Sequence, residues 1–79
     1  MLKKGRKIVI TFHNTHEAMR VEELCKENGV DGRMIPIPTD ITAGCGLAWR
    51  MEPTEEEKFQ ALMGREGLKP QGRYERILR

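Results

Sequence analysis

Aromatic residues, cysteines and long apolar runs are scarce in this chain. Its aromatic residues are one tryptophan, one tyrosine and two phenylalanines, few for a sheet that binds RNA by stacking bases. The two cysteines are too few for a disulfide scaffold, and free thiols persist in reducing compartments, so we expect a cytoplasmic protein. No apolar run approaches the ~20 residues of a membrane-spanning helix.

Charge and length narrow the function classes further. The net charge of +2 is too small to argue for nucleic acid. The basic start leads into only three apolar residues, 8–10, which predicts no secretory signal. The 79 residues predict a single domain, 1–79, with residues 1–6 as a flexible basic start. A core this small leaves little room for a deep pocket, which favours carrying or binding over an elaborate active site.

The spacing of apolar residues predicts four strands and two helices. The strands are expected at residues 7–12, 32–37, 46–52 and 73–78, and the helices at 14–28 and 54–65, with a loop at 64–72. The order strand, helix, strand, strand, helix, strand is the ferredoxin-like βαββαβ arrangement of the α+β class. We therefore predict a four-stranded antiparallel sheet with two helices on one face.

Local signals support several of these boundaries. Asn14 and Glu17 predict a capping box at the start of the first helix, with Thr15 as the rival cap, and residues 54–57 predict a second box. Gly29 is expected in the left-handed conformation that ends a helix. Two prolines, at positions 36 and 38, place the second strand at an edge of the sheet, because proline cannot donate to a sheet ladder.

Residues 36–47 are the segment that core packing explains least. Pro36 and Pro38 restrict the backbone, and Gly44 and Gly46 flank Cys45. Glycine on both sides leaves a thiol unshielded and permits backbone angles closed to other residues. The same residues also suit an ordinary tight turn, so a reactive Cys45 and a turn cysteine are both open.

The predicted topology, with the first and third strands taken as parallel, gives Cys45 a basic environment. It places Cys45 where the first strand begins and the last one ends, and positive charge there would favour the nucleophilic thiolate. We therefore expect an exposed, reactive Cys45. The basic residues expected there are Lys3, Lys4, Arg6, Lys7, Arg76 and Arg79.

The histidines are expected at the opposite end of the sheet. His13 and His16 would lie roughly 20 Å from Cys45, which disfavours a Cys/His pair. Together with Thr15, they could contact an anion or a partner protein at the helix start. Further ligands are missing nearby, so no metal is expected.

Two other features have simple structural interpretations. Cys25 lies on the apolar stripe of the first helix and is expected to be a small buried hydrophobe. Phe12 and Trp49 could stack RNA bases on central strands, but they are in phase with Ile10 and Leu47 and are expected to face the helices. Nucleic acid is therefore not an expected partner.

Three motifs together resemble a known family. They are FHNTHEA at residues 12–18, PIP at 36–38 and GCGLA at 44–48. In this combination and spacing, residues 7–52 resemble the small bacterial proteins of the selenium/sulfur carrier-like family. Cys45 matches the cysteine in the GCGLA motif of that family, and the other recurrent positions matched are His13, Thr15, His16, Pro36 and Pro38. Cys25 is a departure, because an ordinary apolar residue is expected there.

The resemblance implies a carrier of reduced sulfur or selenium that is not itself an enzyme. The chalcogen would travel as a persulfide or selenopersulfide on Cys45, with no resident cofactor and no metal. The implied partners are a donor protein and an acceptor protein.

Two alternatives remain open on the residues alone. One is a regulatory module that binds a partner through a sheet edge or face, for which the predicted edge at 32–37 is the reason. The other is a redox sensor that forms an intermolecular disulfide through Cys45. A homodimer is compatible with each.

Overall fold

Four strands and two helices form the regular structure of residues 5–41 and 45–78, the part of the chain that this computed structural model describes. The elements, in chain order, are β1 (Gly5–Thr11), α1 (Thr15–Glu27), β2 (Arg33–Pro36), β3 (Leu47–Met51), α2 (Glu56–Glu66) and β4 (Gly72–Leu78). Every strand and helix of the predicted order is present.

The strands form one sheet in the order β2-β3-β1-β4. Each neighbouring pair is antiparallel. The predicted α+β, ferredoxin-like arrangement is therefore confirmed, and so is the edge position of β2. The predicted parallel direction of the first and third strands is wrong.

The main core lies between the helices and one face of the sheet. Alternate residues of the two central strands, such as Ile10 and Trp49, are buried there against Val21 of α1 and Phe59 of α2. Phe12 also belongs to this core and has no exposed surface. Because Phe12 and Trp49 are both buried, neither is available to stack a base.

The start of α1 follows the predicted capping chemistry. The Asn14 side chain accepts a hydrogen bond from the Glu17 N–H at 2.8 Å, as an N-cap does. The Glu17 carboxylate accepts from the His13 N–H, also at 2.8 Å, one residue earlier than in a standard capping box. After α1, Gly29 has a φ of 72°, which confirms the predicted left-handed helix end.

The start of α2 differs from its prediction. A 3₁₀ turn, Pro53–Glu55, precedes the helix, which has no side-chain cap at Glu55. The proline and Thr54 are part of this turn, so the predicted capping box does not form. The Glu55 carboxylate instead accepts the Asp31 N–H at 3.0 Å and thereby links the helix start to the chain before β2. At the other end, α2 extends to Glu66, which shortens the predicted 64–72 loop.

A second, smaller core covers the opposite face of the sheet. Val9 and Ala48 are buried there beneath Ile41, which is only 6% exposed. The chain reaches this face by a turn after β2, in which the Ile41 N–H donates to the Pro38 carbonyl at 3.0 Å. Part of the segment with no predicted packing role therefore packs on the sheet.

Gly32 provides a test of the main core. A Cβ at this position would lie 2.6 Å from Cζ2 of Trp49 and 2.7 Å from the Arg50 carbonyl oxygen. Because the indole and the backbone cannot both give way cheaply, we expect Gly32→Ala to lower the free energy of unfolding by about 1–3 kcal/mol. Urea denaturation followed by tryptophan fluorescence measures the change.

Gly64→Ala is the matched control. Gly64 lies inside α2, and a Cβ there meets no heavy atom within 4 Å. Alanine should therefore raise the free energy of unfolding by about 0.5–1 kcal/mol through helix propensity. Equal stability of the two variants would contradict the close approach of Gly32 to Trp49.

Candidate functional site

Because β3 is antiparallel to β1, Cys45 lies at the opposite end of the sheet from the predicted one. In the β1–β3 ladder Thr11 is opposite Ala48 and Ile8 is opposite Met51. The start of β3 therefore lies beside the end of β1, and Cys45, two residues before β3, lies where β1 ends and α1 begins. The predicted position at the opposite end is wrong. The physical reason is that β3 is antiparallel to both of its neighbours, which makes β1 and β2 parallel to each other.

The basic residues are at the other end of β1 and are already paired. Lys7 is opposite Arg76 in the β1–β4 ladder and forms an ion pair with Glu52, just after β3. Arg76 bonds to Asp40 at 2.8 Å. Arg6 lies 3.3 Å from Glu75. The predicted basic environment of Cys45 is therefore not formed by these residues; Lys3, Lys4 and Arg79 lie outside the described residues.

His13, Thr15 and His16 are at the same end as Cys45. Adjacent strands are about 4.8 Å apart, so the expected separation of roughly 20 Å is wrong. All three residues are exposed. The Glu17 carboxylate holds the His13 ring, with Nδ1 3.1 Å from Oε1 and 3.3 Å from Oε2. This contact orients the His13 imidazole at the end of the sheet where β3 begins.

Cys45 lies at the rim of the main core. Its side chain is half-buried and packs against that core, and Sγ donates a weak hydrogen bond to the Leu47 carbonyl at 3.5 Å. Its exposure is therefore smaller than predicted. The next residue, Gly46, is exposed with a φ of 75°, and a Cβ there would meet nothing within 4 Å. This conformation favours glycine, and a side chain at position 46 would extend into open space. Gly44, the other predicted flanking residue, lies outside the described residues.

The two prolines shape the chain around this site. Pro36 is exposed at the end of β2 and is opposite Leu47 in the ladder. Pro38 is half-buried and begins the turn to Ile41. Between them, the Ile37 N–H donates to the Gly46 carbonyl at 2.9 Å, which holds both ends of the loop together. The backbone of Ile37, between the two prolines, is therefore bonded to the neighbour of Cys45.

Asp40 and Arg76 form a contact that the sequence patterns did not indicate. Their salt bridge ties the turn to β4, and the Arg76 guanidinium lies 5.3 Å from the centroid of the Tyr74 ring. The two charged residues are far apart in sequence, and no local motif joins them. Only the two-residue alternation of Tyr74 and Arg76 on one face of β4 hints at the cation–π contact.

Cys25 has a different environment from Cys45. It is 0% exposed in α1 and belongs to the main core, which confirms the prediction that it is a small buried hydrophobe. Burial raises the pKa of the Cys25 thiol to about 11 because a thiolate is poorly solvated in the core. A thiol with this pKa is almost entirely neutral near pH 7, so it is a poor nucleophile there.

Residues 5–41 and 45–78 contain no group of three or more histidine, cysteine, aspartate or glutamate side chains able to hold a metal ion. None of the helices in this part of the chain is long and apolar enough to cross a membrane.

The raised pKa of Cys25 gives the stability a specific pH dependence. The Cys25 thiol ionises near pH 9 when unfolded but near pH 11 when folded. Because the unfolded chain loses the proton first, the free energy of unfolding should fall as the pH rises through this interval. Urea denaturation at pH 8 and 10.5 should show a smaller decrease in Cys25→Ala than in the wild type. Equal decreases in the two proteins would contradict this prediction.

Comparison with known proteins agrees with the motifs. A scan against protein-family models matches residues 7–75 to the family described as Putative Se/S carrier protein-like. A search of curated proteins and a search of solved structures find no significant match. The matched stretch runs from β1 into β4 and includes Cys45 and the surrounding loop. The chain therefore belongs to the Putative Se/S carrier protein-like family.

Proposed function

We propose that this protein carries sulfur or selenium on Cys45 between a donor protein and an acceptor protein. The observation that carries the proposal is the contrast between the two thiols. Cys25 has no exposed surface, whereas Cys45 is half-buried at the end of the sheet, next to an open glycine. Membership of the Se/S carrier-like family supports the same assignment.

The transfer is an exchange at sulfur with no net oxidation. Cys45 first loses its proton to solvent. Its thiolate attacks the outer atom of a donor persulfide, a new S–S bond forms, and the donor leaves as a thiolate that takes up a proton. An acceptor thiolate then attacks the outer sulfur on Cys45, and the Cys45 thiolate leaves. With a selenopersulfide, the transferred outer atom is selenium.

The resting contact of Cys45 must change during this cycle. Its Sγ donates to the Leu47 carbonyl, and a thiolate has no proton to donate. Loss of the proton therefore releases the sulfur from this carbonyl, and the half-buried side chain can then turn toward solvent. The N-terminus of α1, at the same end of the sheet, carries a partial positive charge that would favour an anionic persulfide.

The exposed residues around this end form the surface for donor and acceptor. Gly46 and Pro36 flank the thiol on the loop side, and the exposed segment from His13 to His16 lies on the helix side. Two bulky proteins must in turn bring a sulfur atom into line with Cys45, which an open rim permits and a deep pocket would prevent. The choice between sulfur and selenium then depends on the donor.

The proposal is tested by intact-mass spectrometry of the reduced protein after exposure to a persulfide donor, and separately to selenite with glutathione. We expect the wild type to gain one sulfur or selenium atom per chain. The gain should persist in Cys25→Ala and disappear in Cys45→Ser, because only Cys45 reaches the donor. Cyanide should remove the added sulfur, as it does from persulfides.

Alanine is chosen at position 25 because a serine hydroxyl would be buried there without a solvent contact. Circular dichroism confirms that each variant is folded. Unchanged loading of Cys45→Ser, or no loading of the wild type by either donor, would contradict the proposal. A loaded wild type that cannot pass its sulfur to any small-molecule thiol would contradict the second half of the cycle.

A further inference from the structure

The two edge strands of the sheet differ in their ability to pair with another strand. β2 has four residues and ends at Pro36, with Pro38 two positions later. β4 has seven residues and contains no proline. It pairs with β1 on one side, and no strand of the described residues covers the other side. The backbone of β4 is therefore the open edge of this sheet.

Three of the seven residues of β4 are charged, Arg73, Glu75 and Arg76, and their signs are mixed. Proteins block edge-to-edge association with charged side chains, lysine above all, or with proline. In β4 the register places Arg73 and Glu75 on the helix-covered face, opposite Ile10 and Ile8 of β1. Because β4 carries charges of both signs, a neighbouring strand is attracted or repelled according to the register in which it pairs.

We propose that β4 pairs in an antiparallel direction with β4 of a second copy of this chain, with Tyr74 on the two-fold axis. The two four-stranded sheets would join into one continuous sheet of eight strands. Such an interface is isologous, so each residue contact occurs twice. The helices of both copies would lie on the same face of the joined sheet.

Symmetry and charge select the register. Directly opposite residues in an antiparallel pair lie on the same face, so the axis must pass through a residue and not between two. An axis at Arg73 or at Arg76 sets two arginines against each other, and an axis at Glu75 sets two glutamates against each other. An axis nearer either end of β4 pairs at most three residues of each copy. An axis at Tyr74 sets Arg73 opposite Glu75 of the second copy, twice. Like charges directly opposite destabilise a sheet and opposite charges stabilise it.

Contacts within one copy already engage these side chains, and Arg6 also lies 3.3 Å from Glu75. The Arg73 guanidinium donates to Glu56 at 2.7 Å and to Glu75 at 3.1 Å, which orients it along the helix-covered face. On the other face, Arg76 lies over the Tyr74 ring. Tyr74 is half-buried and would meet its symmetry mate there. Arg76 also donates to the Glu75 carbonyl at 2.8 Å, a bond exchanged if that carbonyl pairs across the edge.

The interface is small and separate from Cys45. One pair of strands buries less than the ~1,200–2,000 Å² of a typical stable complex, so we expect a reversible dimer with a dissociation constant on the order of micromolar. β1 lies between β4 and β3 in the sheet, so pairing at β4 leaves the start of β3 and Cys45 open. The dimer can therefore fail without affecting the carrier proposal, and the reverse also holds.

A charge-complementation experiment tests the register. In Glu75→Arg, the dimer would set arginine against Arg73 of the second copy; in Arg73→Glu, it would set glutamate against Glu75. Sedimentation equilibrium should show each variant dimerising at least tenfold more weakly than the wild type. An equimolar mixture should dimerise again, because every such pair is then of opposite sign. Circular dichroism establishes that both variants are folded.

Cysteine cross-linking tests the same register independently. In a chain with Cys25→Ala and Cys45→Ser, single changes Arg73→Cys, Tyr74→Cys and Glu75→Cys are oxidised and analysed on non-reducing gels. Only residues on the axis face themselves within the Cα distance of a disulfide, about 4.4–6.8 Å. Tyr74→Cys should therefore cross-link at least tenfold faster than the other two. Arg33→Cys on β2, the other edge strand, should remain monomeric.

Three results would overturn the inference. They are a wild type that stays monomeric at millimolar concentration, a mixture of the two charge variants that stays monomeric although both fold, and equal cross-linking at positions 73, 74 and 75. Loading of Cys45 measured on the same charge variants distinguishes this inference from the carrier proposal, because β1 separates both substituted positions from β3.

Discussion

The antiparallel pairing of β1 with β3 is the constraint on which the rest of the structure depends. It sets Thr11 opposite Ala48 and thereby brings the start of β3 to the end of β1. The Cys45 thiol, the His13 ring and the N-terminus of α1 come to one end of the sheet for this reason. The same pairing brings Lys7 to Glu52 at the other end, and the β1–β4 ladder places Arg76 opposite Lys7; the charges there are matched by nearby partners. The Cys45 thiol and the ion pair of Lys7 with Glu52 therefore lie at opposite ends of the central strands.

The loop before β3 is held from both faces of the sheet. Ile41 packs on the face away from the helices, with Val9 and Ala48, whereas Cys45 packs at the rim of the helix-covered core. The Asp40–Arg76 salt bridge ties the turn to β4. A thiol in this position packs against the core yet keeps part of its surface in solvent. That combination suits a carrier, which needs a sulfur that is reachable without a cavity around it.

Short-range sequence patterns predicted the strands and helices well, but they did not predict interactions between residues that are distant in sequence. Two-residue alternation identified the buried faces of β1 and β3, and Asn14 and Gly29 marked the ends of α1 because capping is local chemistry. The direction of β3 relative to β1 depends on how β2 connects to both, and an incorrect direction moved Cys45 to the wrong end. The packing of Ile41 and the Asp40–Arg76 pair escaped prediction because their partners are distant in sequence and no spacing encodes them. At α2, the 3₁₀ turn and the Asp31–Glu55 hydrogen bond replaced the local capping signal of Thr54 and Glu57.

The sheet assigns different tasks to its edges and its centre. The central strands form the core and place Cys45 at one end of the sheet. A partner that reaches Cys45 therefore approaches along the strand direction. The β4 edge is open in the perpendicular direction, along the line of hydrogen bonds. Two copies joined at β4 would therefore leave both thiols free, at opposite ends of the joined sheet, because the two-fold axis reverses the strand direction. The two carriers of one dimer could not exchange sulfur with each other directly, so each thiol of the dimer would take up and pass on its sulfur through a separate molecule.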